Sequence, residues 1–268
     1  MGRVRGPSTR VLRAFGLHGV PELLAGGRGT SWLVGDVVLK PDVDLVLQVW
    51  LGTEVAGIRQ DGFRLAEVLQ SSSGDWVVDG WGATVLLPGQ SSETSAVDWP
   101  TVVETGRAFH RSAAVLARPS WLTGRRSWWA QADAATWQEI EVEVIPALRP
   151  MVELLTERVG PLGADQLVHA DLTGNVLLTS AAPPGIIDIS PYWRPPAYAD
   201  GIVVADAMCW HHAPATVLKD AYVSAEAVAR GLLFRVLTTN EVHRALPNHP
   251  VLADEVRRYL AVVTSLGF

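Results

Sequence analysis

Two short segments of the sequence carry oxygen-bearing side chains at the edges of apolar runs. The first segment, HADLTGNVLL (169–178), contains Asp171 and Asn175, and the second, GIIDIS (185–190), contains Asp188. The apolar runs resemble short buried strands, so these side chains should lie at one end of a small hairpin. Hard oxygen ligands suit Mg²⁺, which binds proteins through one or two carboxylates together with substrate phosphates. The spacing indicates either Mg²⁺-dependent phosphate chemistry or a β-turn in which Asp171 and Asn175 bond only the backbone.

A second candidate is a lysine in a chain that uses arginine almost exclusively. Of the 22 Lys and Arg residues, only Lys40 and Lys219 are lysines. A lysine offers a compact point charge where arginine offers a planar fork, so the two are not interchangeable in a tight phosphate site. Lys40 ends the strand-like run VVLK, which follows the glycine-rich stretch 26–31. That stretch either presents backbone N–H groups to an anion or is a plain hairpin turn.

The elements that must position these residues differ between the two ends of the chain. The first 88 residues alternate strand-like runs with turns, which predicts an antiparallel sheet of about five strands with one helix, residues 45–58, inserted into it. The stretch PGQSS, which begins at Pro88, breaks this pattern and is the best candidate linker.

Beyond the linker the pattern is mostly helical. Apolar residues recur at helical spacing behind a cap at Asp98, and a second helical run covers residues 129–159 with a break at Pro146. The short apolar runs around residues 169–190 interrupt the helices, and the sequence is again helical from residue 199 onward. The chain is therefore expected to have an α+β fold.

Composition excludes several classes of protein. The chain has 268 residues, is 48% apolar and has a net charge of −6, which argues against disorder and against nucleic acid as a partner. Its single cysteine, Cys209, cannot form an internal disulfide, and a reducing cytoplasm suits it best. The N-terminal segment is a poor signal peptide and no apolar run is long enough to span a membrane, so no membrane partner is expected.

The chemistry-bearing segments also carry a family resemblance. HADLTGNVLL with IIDIS resembles the catalytic loop and metal-binding strand of the aminoglycoside phosphotransferases and their choline-kinase and fructosamine-kinase relatives. The glycine-rich loop, the VVLK strand, the acidic helix and the linker occur in the same order, so the resemblance covers about residues 22–215. IIDISPYWRPPAY is similar to an uncharacterised branch of these kinases in high-GC bacteria.

The resemblance implies a protein-kinase-like fold with two lobes. A small antiparallel-sheet N-lobe, residues 1–88, would bind the nucleotide. A larger, mainly helical C-lobe, residues 89–268, would carry the catalytic loop and the substrate site.

The resemblance also assigns roles in the catalytic loop. Asp171 would accept or orient the proton of the substrate hydroxyl, while Asn175 and Asp188 would hold Mg²⁺ against the nucleotide phosphates. His169 and Asp206 would support the loop structurally.

For the nucleotide, the resemblance implies that Lys40 reaches the α- and β-phosphates. Its acidic partner would be Glu54 on the inserted helix, with Glu67 as the fallback. The loop over the phosphates would include the following residues: Gly27, Gly29, Thr30 and Ser31.

The sequence departs from the family pattern near the catalytic residues. Three residues separate Asp171 from Asn175, one fewer than the pattern, which puts the metal-ligand role of Asn175 in doubt. Asp188 is followed by Ile189 and Ser190 instead of Phe-Gly, which argues against a regulated protein-kinase switch. The segment after Asp188 would face the substrate, which makes its residues Tyr192 and Arg194 candidate substrate contacts.

These features predict a small-molecule kinase that transfers the γ-phosphate of ATP or GTP to a hydroxyl of an aminoglycoside-like antibiotic or related metabolite. Acidic residues such as Glu139 would suit a cationic acceptor. A sugar, cyclitol or amino-alcohol kinase is the alternative within this class. A non-catalytic nucleotide-binding protein on the same fold is the rival from another class. RNA binding through Trp128, Trp129 and nearby arginines is disfavoured by the acidic balance.

Overall fold

The computed structural model describes residues 5–25, 29–92, 98–247 and 249–268. The chain divides into two compact units, and we describe each by itself. The first unit contains Met1–Gln90 and Leu177–Ile187, and the second unit contains Ser91–Val176 and Asp188–Phe268. The first unit therefore differs from the predicted 1–88 lobe in that it also includes a later segment of the chain.

Eleven strands are distributed over three sheets in the described part of the chain. In chain order they are β1 (Glu22–Leu23), β2 (Trp32–Val34), β3 (Val37–Lys40), β4 (Arg64–Leu65), β5 (Val68–Leu69), β6 (Gly82–Val85), β7 (Gln90–Ser91), β8 (Gln166–His169), β9 (Val176–Leu178), β10 (Gly185–Ile186) and β11 (Pro191–Arg194). The largest sheet has the order β1-β2-β3-β6-β5, and its strand pairs are antiparallel. The predicted five-stranded antiparallel sheet is confirmed.

The later segment belongs to the first unit because β10 pairs in parallel with β4. Gly185 lies opposite Arg64 in this pair. The Arg64 side chain strengthens the junction, since its Nε donates a hydrogen bond to the carbonyl oxygen of Pro183 at 2.7 Å. The run FRLAEVLQ (63–70) therefore contributes to two sheets, with β4 in one and β5 in the other.

The core of the first unit lies on one face of the five-stranded sheet. Side chains alternate along β3, so that Val37 and Leu39 are buried on the same face. They pack with Ala83 of β6 and with Val11 of helix α1 (Thr9–Ala14). Removing these apolar surfaces from water stabilises the sheet against the helix.

Helix α2 (Leu45–Thr53) is the inserted helix. It begins at Asp44, whose Oδ1 accepts hydrogen bonds from the N–H groups of Val46 at 2.8 Å and Leu47 at 3.1 Å. The predicted helix ran to residue 58, but the observed helix ends at Thr53 and a 3₁₀ turn follows. Gln48 is the buried polar residue of α2. Its side chain packs closely on Gly82 of β6, because a Cβ atom added to this glycine would lie only 2.8 Å from Gln48 Nε2.

The second unit is mainly helical. Its helices are α3 (Trp99–Ala113), α4 (Trp128–Thr136), α5 (Arg149–Thr156), α6 (Pro196–Trp210), α7 (Val217–Asp220), α8 (Ala225–Ala245) and α9 (Leu252–Leu266). The predicted cap of α3 is present, since Asp98 Oδ1 accepts a hydrogen bond from the N–H of Thr101 at 3.4 Å. Within the described ranges, no helix combines the length and the apolar character needed to cross a membrane.

The helical run predicted over residues 129–159 is wrong in its middle. Residues 137–148, between α4 and α5, are mostly not helical. The buried Asn240 of α8 binds this segment, because its Oδ1 accepts from the N–H of Ile145 at 2.8 Å and its Nδ2 donates to the carbonyl of Glu143 at 2.9 Å. These tertiary bonds replace the helical hydrogen bonds at both positions.

Helices α6 and α8 cross at a pair of glycines. A Cβ on Gly201 would lie 1.9 Å from the carbonyl oxygen of Ala227, and one on Gly231 would lie 2.5 Å from the carbonyl carbon of Gly201. The two backbones are therefore in direct contact. This close approach fixes the relative position of the residues that follow each glycine on its helix.

Candidate active site

The site is built on strand β8, which pairs with β11 in an antiparallel ladder. His169 ends β8 and lies opposite Pro191, so the loop after β8 and the chain before β11 meet at one end of the ladder. The N–H of Ala170 donates to the carbonyl of Ser190 at 3.1 Å and extends the pairing by one bond. Asp171 follows on one side of this junction, and Asp188 precedes it on the other.

The His169 imidazole joins both sides of the junction. Its Nδ1 accepts hydrogen bonds from the N–H groups of Asp171 at 3.2 Å and Ser190 at 3.3 Å. A ring nitrogen that accepts two N–H groups carries no proton, so His169 is neutral with its proton on Nε2. The side chain is fully buried. The structural role predicted for His169 stays a prediction, and these two hydrogen bonds are the contacts through which it would act.

A second buried histidine, His110 of α3, supports the first. Its Nε2 accepts the backbone N–H of His169 at 3.1 Å. Burial, reinforced by the nearby His169, lowers the pKa of His110 to about 3, so this ring is neutral too. The sequence analysis missed His110, although a histidine on the apolar face of a predicted amphipathic helix is the pattern of a buried polar group in need of a partner.

Asp171 is the exposed member of the cluster. Its side chain is 45% exposed, and its Oδ1 accepts a hydrogen bond from Nη2 of Arg235 at 3.1 Å. Arg235, on α8, also donates from Nε and Nη2 to the two carboxylate oxygens of Asp206, at 2.7 and 2.5 Å. Asp206 was predicted to support the loop, and it binds Arg235, which in turn binds Asp171 of the loop. Burial raises the pKa of Asp206 even though the adjacent Arg235 opposes this effect.

The loop between Asp171 and Asn175 closes as a tight turn. The N–H of Asn175 donates to the carbonyl of Leu172 at 3.0 Å, and Gly174 has a φ of +77°, a conformation that favours glycine. Leu172 is buried against α3, where a Cβ on Gly106 would lie 2.3 Å from its Cδ1. The absence of a side chain at Gly106 therefore makes room for the loop.

Two serines outside the loop fix its far end. The N–H of Gly174 donates to Ser92 Oγ at 3.1 Å, and Ser91 Oγ donates to the carbonyl of Gly174 at 2.9 Å. The sequence analysis assigned these serines only to a linker. Their hydrogen bonds show that the start of the second unit is part of the scaffold of the loop.

Asn175 points its amide nitrogen back into the loop. Its Nδ2 donates to the carbonyl of Asp171 at 2.7 Å and lies 3.4 Å from Asp171 Oδ2. With the nitrogen bound to the loop, the amide oxygen is the atom that can serve a metal ion. The predicted backbone hydrogen bond of Asn175 is therefore present, and its role as a metal ligand stays a prediction.

Asp188 is exposed and has a φ of 52°. This left-handed conformation is uncommon outside glycine, although aspartate and asparagine adopt it more readily than other residues. It turns the chain between β10 and the anchored Ser190. The carboxylate of Asp188 and the amide oxygen of Asn175 are hard oxygen donors, so their chemistry suits Mg²⁺.

The two predicted substrate contacts on β11 are both buried. Arg194 is 9% exposed and binds Asp133 of α4 at 2.7 Å and Glu139 at 2.5 Å. Its guanidinium is therefore used in an internal ion-pair cluster, which does not support a contact with substrate. Tyr192 is also buried, with the Arg125 guanidinium 4.7 Å from its ring centroid.

The predicted nucleotide-binding residues lie in the first unit. Lys40 ends β3 opposite Gly82 of β6. Glu54 is exposed at the end of α2, and its backbone N–H donates to the carbonyl of Trp50 at 2.9 Å. The polar α2 residue buried beside Gly82 is Gln48.

The glycine-rich loop is described in part. Gly29, Thr30 and Ser31 precede β2, and Gly29 has a φ of +65°. Gly27 lies outside the described residues. In the described ranges no cluster of three or more His, Cys, Asp or Glu residues could hold a metal ion.

Comparisons with known proteins identify the fold. No family model and no curated protein matches the sequence. An AMP-bound spectinomycin phosphotransferase matches the structure with a TM-score of 0.60 and 13% identity, over 94% of this chain and 92% of that one. A choline/ethanolamine kinase family protein from Mesorhizobium loti matches with a TM-score of 0.60 and 17% identity, over 94% and 90% of the respective chains.

A microcompartment-associated aminopropanol kinase matches similarly, with a TM-score of 0.58 and 16% identity, over 96% of this chain and 93% of that one. These matches span nearly the whole of each chain. The protein therefore has the α+β, protein-kinase-like fold of the aminoglycoside phosphotransferases and the choline/ethanolamine kinase family proteins. The fold predicted from the sequence is confirmed.

Proposed function

We propose that the protein is a small-molecule kinase that transfers the γ-phosphate of ATP or GTP to a hydroxyl group. One observation carries the proposal. The Nδ1 atom of His169 holds the N–H of Asp171 at 3.2 Å and that of Ser190 at 3.3 Å, so the exposed Asp171 and the segment that begins at Asp188 share one buried anchor. Phosphoryl transfer needs such positioning and electrostatic stabilisation, and little covalent chemistry from the protein.

Asp171 acts on the acceptor. Its carboxylate accepts a hydrogen bond from the acceptor hydroxyl and orients the oxygen toward the γ-phosphorus. A bond forms between this oxygen and phosphorus, and the bond from phosphorus to the oxygen that bridges the β- and γ-phosphates breaks. The nucleoside diphosphate leaves with that oxygen and its electron pair. The hydroxyl proton passes to Asp171 and then to solvent.

Asn175 and Asp188 supply the metal ligands. These two side chains would hold Mg²⁺, which would neutralise phosphate charge. Asn175 contributes its amide oxygen because its nitrogen is bound to the carbonyl of Asp171 at 2.7 Å. Asp188 contributes an exposed carboxylate on a backbone held two residues later at Ser190.

The nucleotide contacts belong to the first unit. Lys40 is proposed to bind the α- and β-phosphates as a point charge. Gly29, Thr30 and Ser31 are proposed to cover the phosphates with backbone N–H groups, together with Gly27. Glu54, exposed at the end of α2, is proposed as the acidic partner of Lys40.

For the acceptor we propose an aminoglycoside-like antibiotic or a related hydroxylated metabolite. Similar structures include a complex of a spectinomycin phosphotransferase with ADP and its antibiotic, and a ternary complex of an aminoglycoside phosphotransferase with ADP and hygromycin B. The net charge of −6 favours a cationic acceptor. The similarity to an aminopropanol kinase supports a small amino alcohol as the second candidate. With an antibiotic as acceptor, we propose that the protein acts in the cytoplasm and confers antibiotic resistance.

A thermal-shift titration tests the nucleotide site. ATP and GTP are added with and without Mg²⁺ to the wild type and to Asp188→Asn, since a ligand that binds only the native state raises its stability. Asparagine tolerates the positive φ of residue 188, so this variant removes charge without adding strain. Asp42→Asn is the matched control, because Asp42 is also exposed and has a φ of 56°.

A Mg²⁺-dependent shift in the wild type and in the control, reduced in Asp188→Asn, supports the site. An acceptor screen with spectinomycin, hygromycin B, cyclitols and aminopropanol then follows, with nucleoside diphosphate release as the readout. The absence of any shift at millimolar ATP or GTP contradicts the proposal. A shift that persists in Asp188→Asn, without turnover of any acceptor or of water, favours a non-catalytic nucleotide-binding protein.

A further inference from the structure

Arg235 is a buried charge in a helix segment that is otherwise apolar. Its neighbours in α8, Phe234 and Val236, are buried, and its own side chain is only 13% exposed. Burying a guanidinium is costly unless it is paired and hydrogen bonded. The partners of Arg235 therefore explain its position.

Asp206 fixes the orientation of this guanidinium. Nε and Nη2 of Arg235 donate to Oδ1 and Oδ2 of Asp206 at 2.7 and 2.5 Å, which is the two-point geometry of a planar fork. The Asp206 side chain is 5% exposed. Two bonds from adjacent nitrogens leave the guanidinium plane little freedom to rotate.

The helix crossing determines where the fork lies. Gly231 of α8 contacts Gly201 of α6, and Arg235 follows Gly231 by one helical turn. Asp206 follows Gly201 on α6 by somewhat more than one turn. Because the backbones touch at the glycines, the pair forms close to the crossing and is set by main-chain geometry.

The second hydrogen atom of Nη2 reaches the candidate catalytic residue. It donates to Oδ1 of Asp171 at 3.1 Å. Oδ2 of Asp171 has a longer contact, at 3.4 Å from Asn175 Nδ2. The two oxygens of this half-exposed carboxylate are thus unequal, with Oδ1 bound toward the interior and Oδ2 the better placed to accept a new hydrogen bond.

We propose that Arg235 is a positioning residue for Asp171, holding Oδ1 so that Oδ2 faces the acceptor hydroxyl. The inference rests on the proposed function, because it assigns to Arg235 the orientation of the group that receives the hydroxyl proton. Arg235 does not contact the substrate. Its effect is transmitted through Asp171, and Asp206 is the group that keeps it in place.

The test compares variants of the full-length protein in MgATP hydrolysis, which needs no identified acceptor because water serves as one. Asp206→Leu/Arg235→Met removes both buried charges together, since removing one alone leaves an uncompensated ion that endangers folding. Arg235→Lys is the second variant, because it keeps the charge beside Asp206 but lacks the planar fork. Asp171→Asn tests whether the measured hydrolysis depends on the proposed catalytic carboxylate.

Arg230→Met is the matched control. Arg230 is another buried arginine of α8, but it donates hydrogen bonds to the carbonyls of Thr136 and Gly160 at 3.0 and 3.1 Å. Its removal perturbs the same helix without touching Asp171. All rates are measured below the melting temperature of the least stable variant.

The expected result for the double variant and for Arg235→Lys is a kcat lowered by about tenfold to a hundredfold, with KM for ATP within about twofold of wild type. Arg230→Met should lower the melting temperature and keep kcat near wild type. A wild-type kcat in the double or lysine variant, or an equal loss in Arg230→Met, overturns the positioning role. No hydrolysis by the wild type, or no loss in Asp171→Asn, contradicts the proposed function instead.

Discussion

His110 should make the protein sensitive to acid, and replacing it should remove that sensitivity. Its Nε2 accepts the N–H of His169 at 3.1 Å, while its Nδ1 has no hydrogen-bond partner among the described residues. His110→Gln keeps an acceptor near the position of Nε2 and removes the titratable group. The variant therefore separates the loss of a proton site from the loss of a hydrogen bond.

The magnitude follows from the pKa. Burial lowers the pKa of His110 from 6.5 to about 3 in the folded protein. Between these values the unfolded state binds more protons than the native state, so the free energy of unfolding falls as the pH falls. Linkage gives a loss of about 1 kcal/mol at pH 5.5 and about 3 kcal/mol at pH 4.5, relative to neutral pH. The second value is a large part of the stability of a typical domain.

Urea unfolding of the wild type and of His110→Gln, measured from about pH 7.5 to about pH 4.5, tests this reasoning. The free energy of unfolding of the variant is subtracted from that of the wild type at each pH. Burial raises the pKa of Asp200 to about 6, which makes stability fall as the pH rises through the same range. Asp200 acts equally in both proteins, so its contribution cancels. A difference that stays constant within about 0.5 kcal/mol over this range would refute the argument.

Three further predictions concern the site and its scaffold. Asp171→Asn should lower kcat by about a hundredfold or more while nucleotide affinity, measured by calorimetry, stays within about twofold; an unchanged kcat is the contrary result. Gly201→Ala should prevent folding or lower the free energy of unfolding by more than about 3 kcal/mol, since its Cβ would lie 1.9 Å from the main chain of Ala227. The control is Gly57→Ala, whose Cβ would lie in open space and which should change the free energy of unfolding, measured in urea, by less than about 0.5 kcal/mol. Arg194→Leu should lower the free energy of unfolding by about 3–5 kcal/mol, because it leaves Asp133 buried without its ion-pair partner. Adding Asp133→Leu should restore most of the lost free energy. If the double variant unfolds as easily as Arg194→Leu, loss of the ion pair does not explain the destabilisation.

Local patterns in the sequence were sufficient for the elements and for the candidate loop. Alternation along VVLK predicts the strand that buries Val37 and Leu39, and the predicted cap at Asp98 is present. These signals depend on neighbours within a few residues, which is the range over which hydrogen bonds and side-chain periodicity act.

Contacts between distant residues were not predictable in this way. Arg235 reaches Asp171 across 64 positions of the chain, and His110 reaches His169 across 59. Arg194 was predicted to contact the substrate. It lies two residues after the buried Tyr192 on β11, however, and side-chain alternation along a strand places both residues on the same face. That alternation, and the presence of Arg235 between apolar residues in α8, are the sequence features that indicate buried charges.

The return of residues 177–187 to the first unit restricts how the chain can be divided. A fragment that ends at Gln90 would lack β10, which leaves the backbone of β4 without its parallel partner. A fragment that begins at Ser91 would carry the same segment without the strand it pairs with. Separate expression of the two parts should therefore produce exposed strand edges and aggregation.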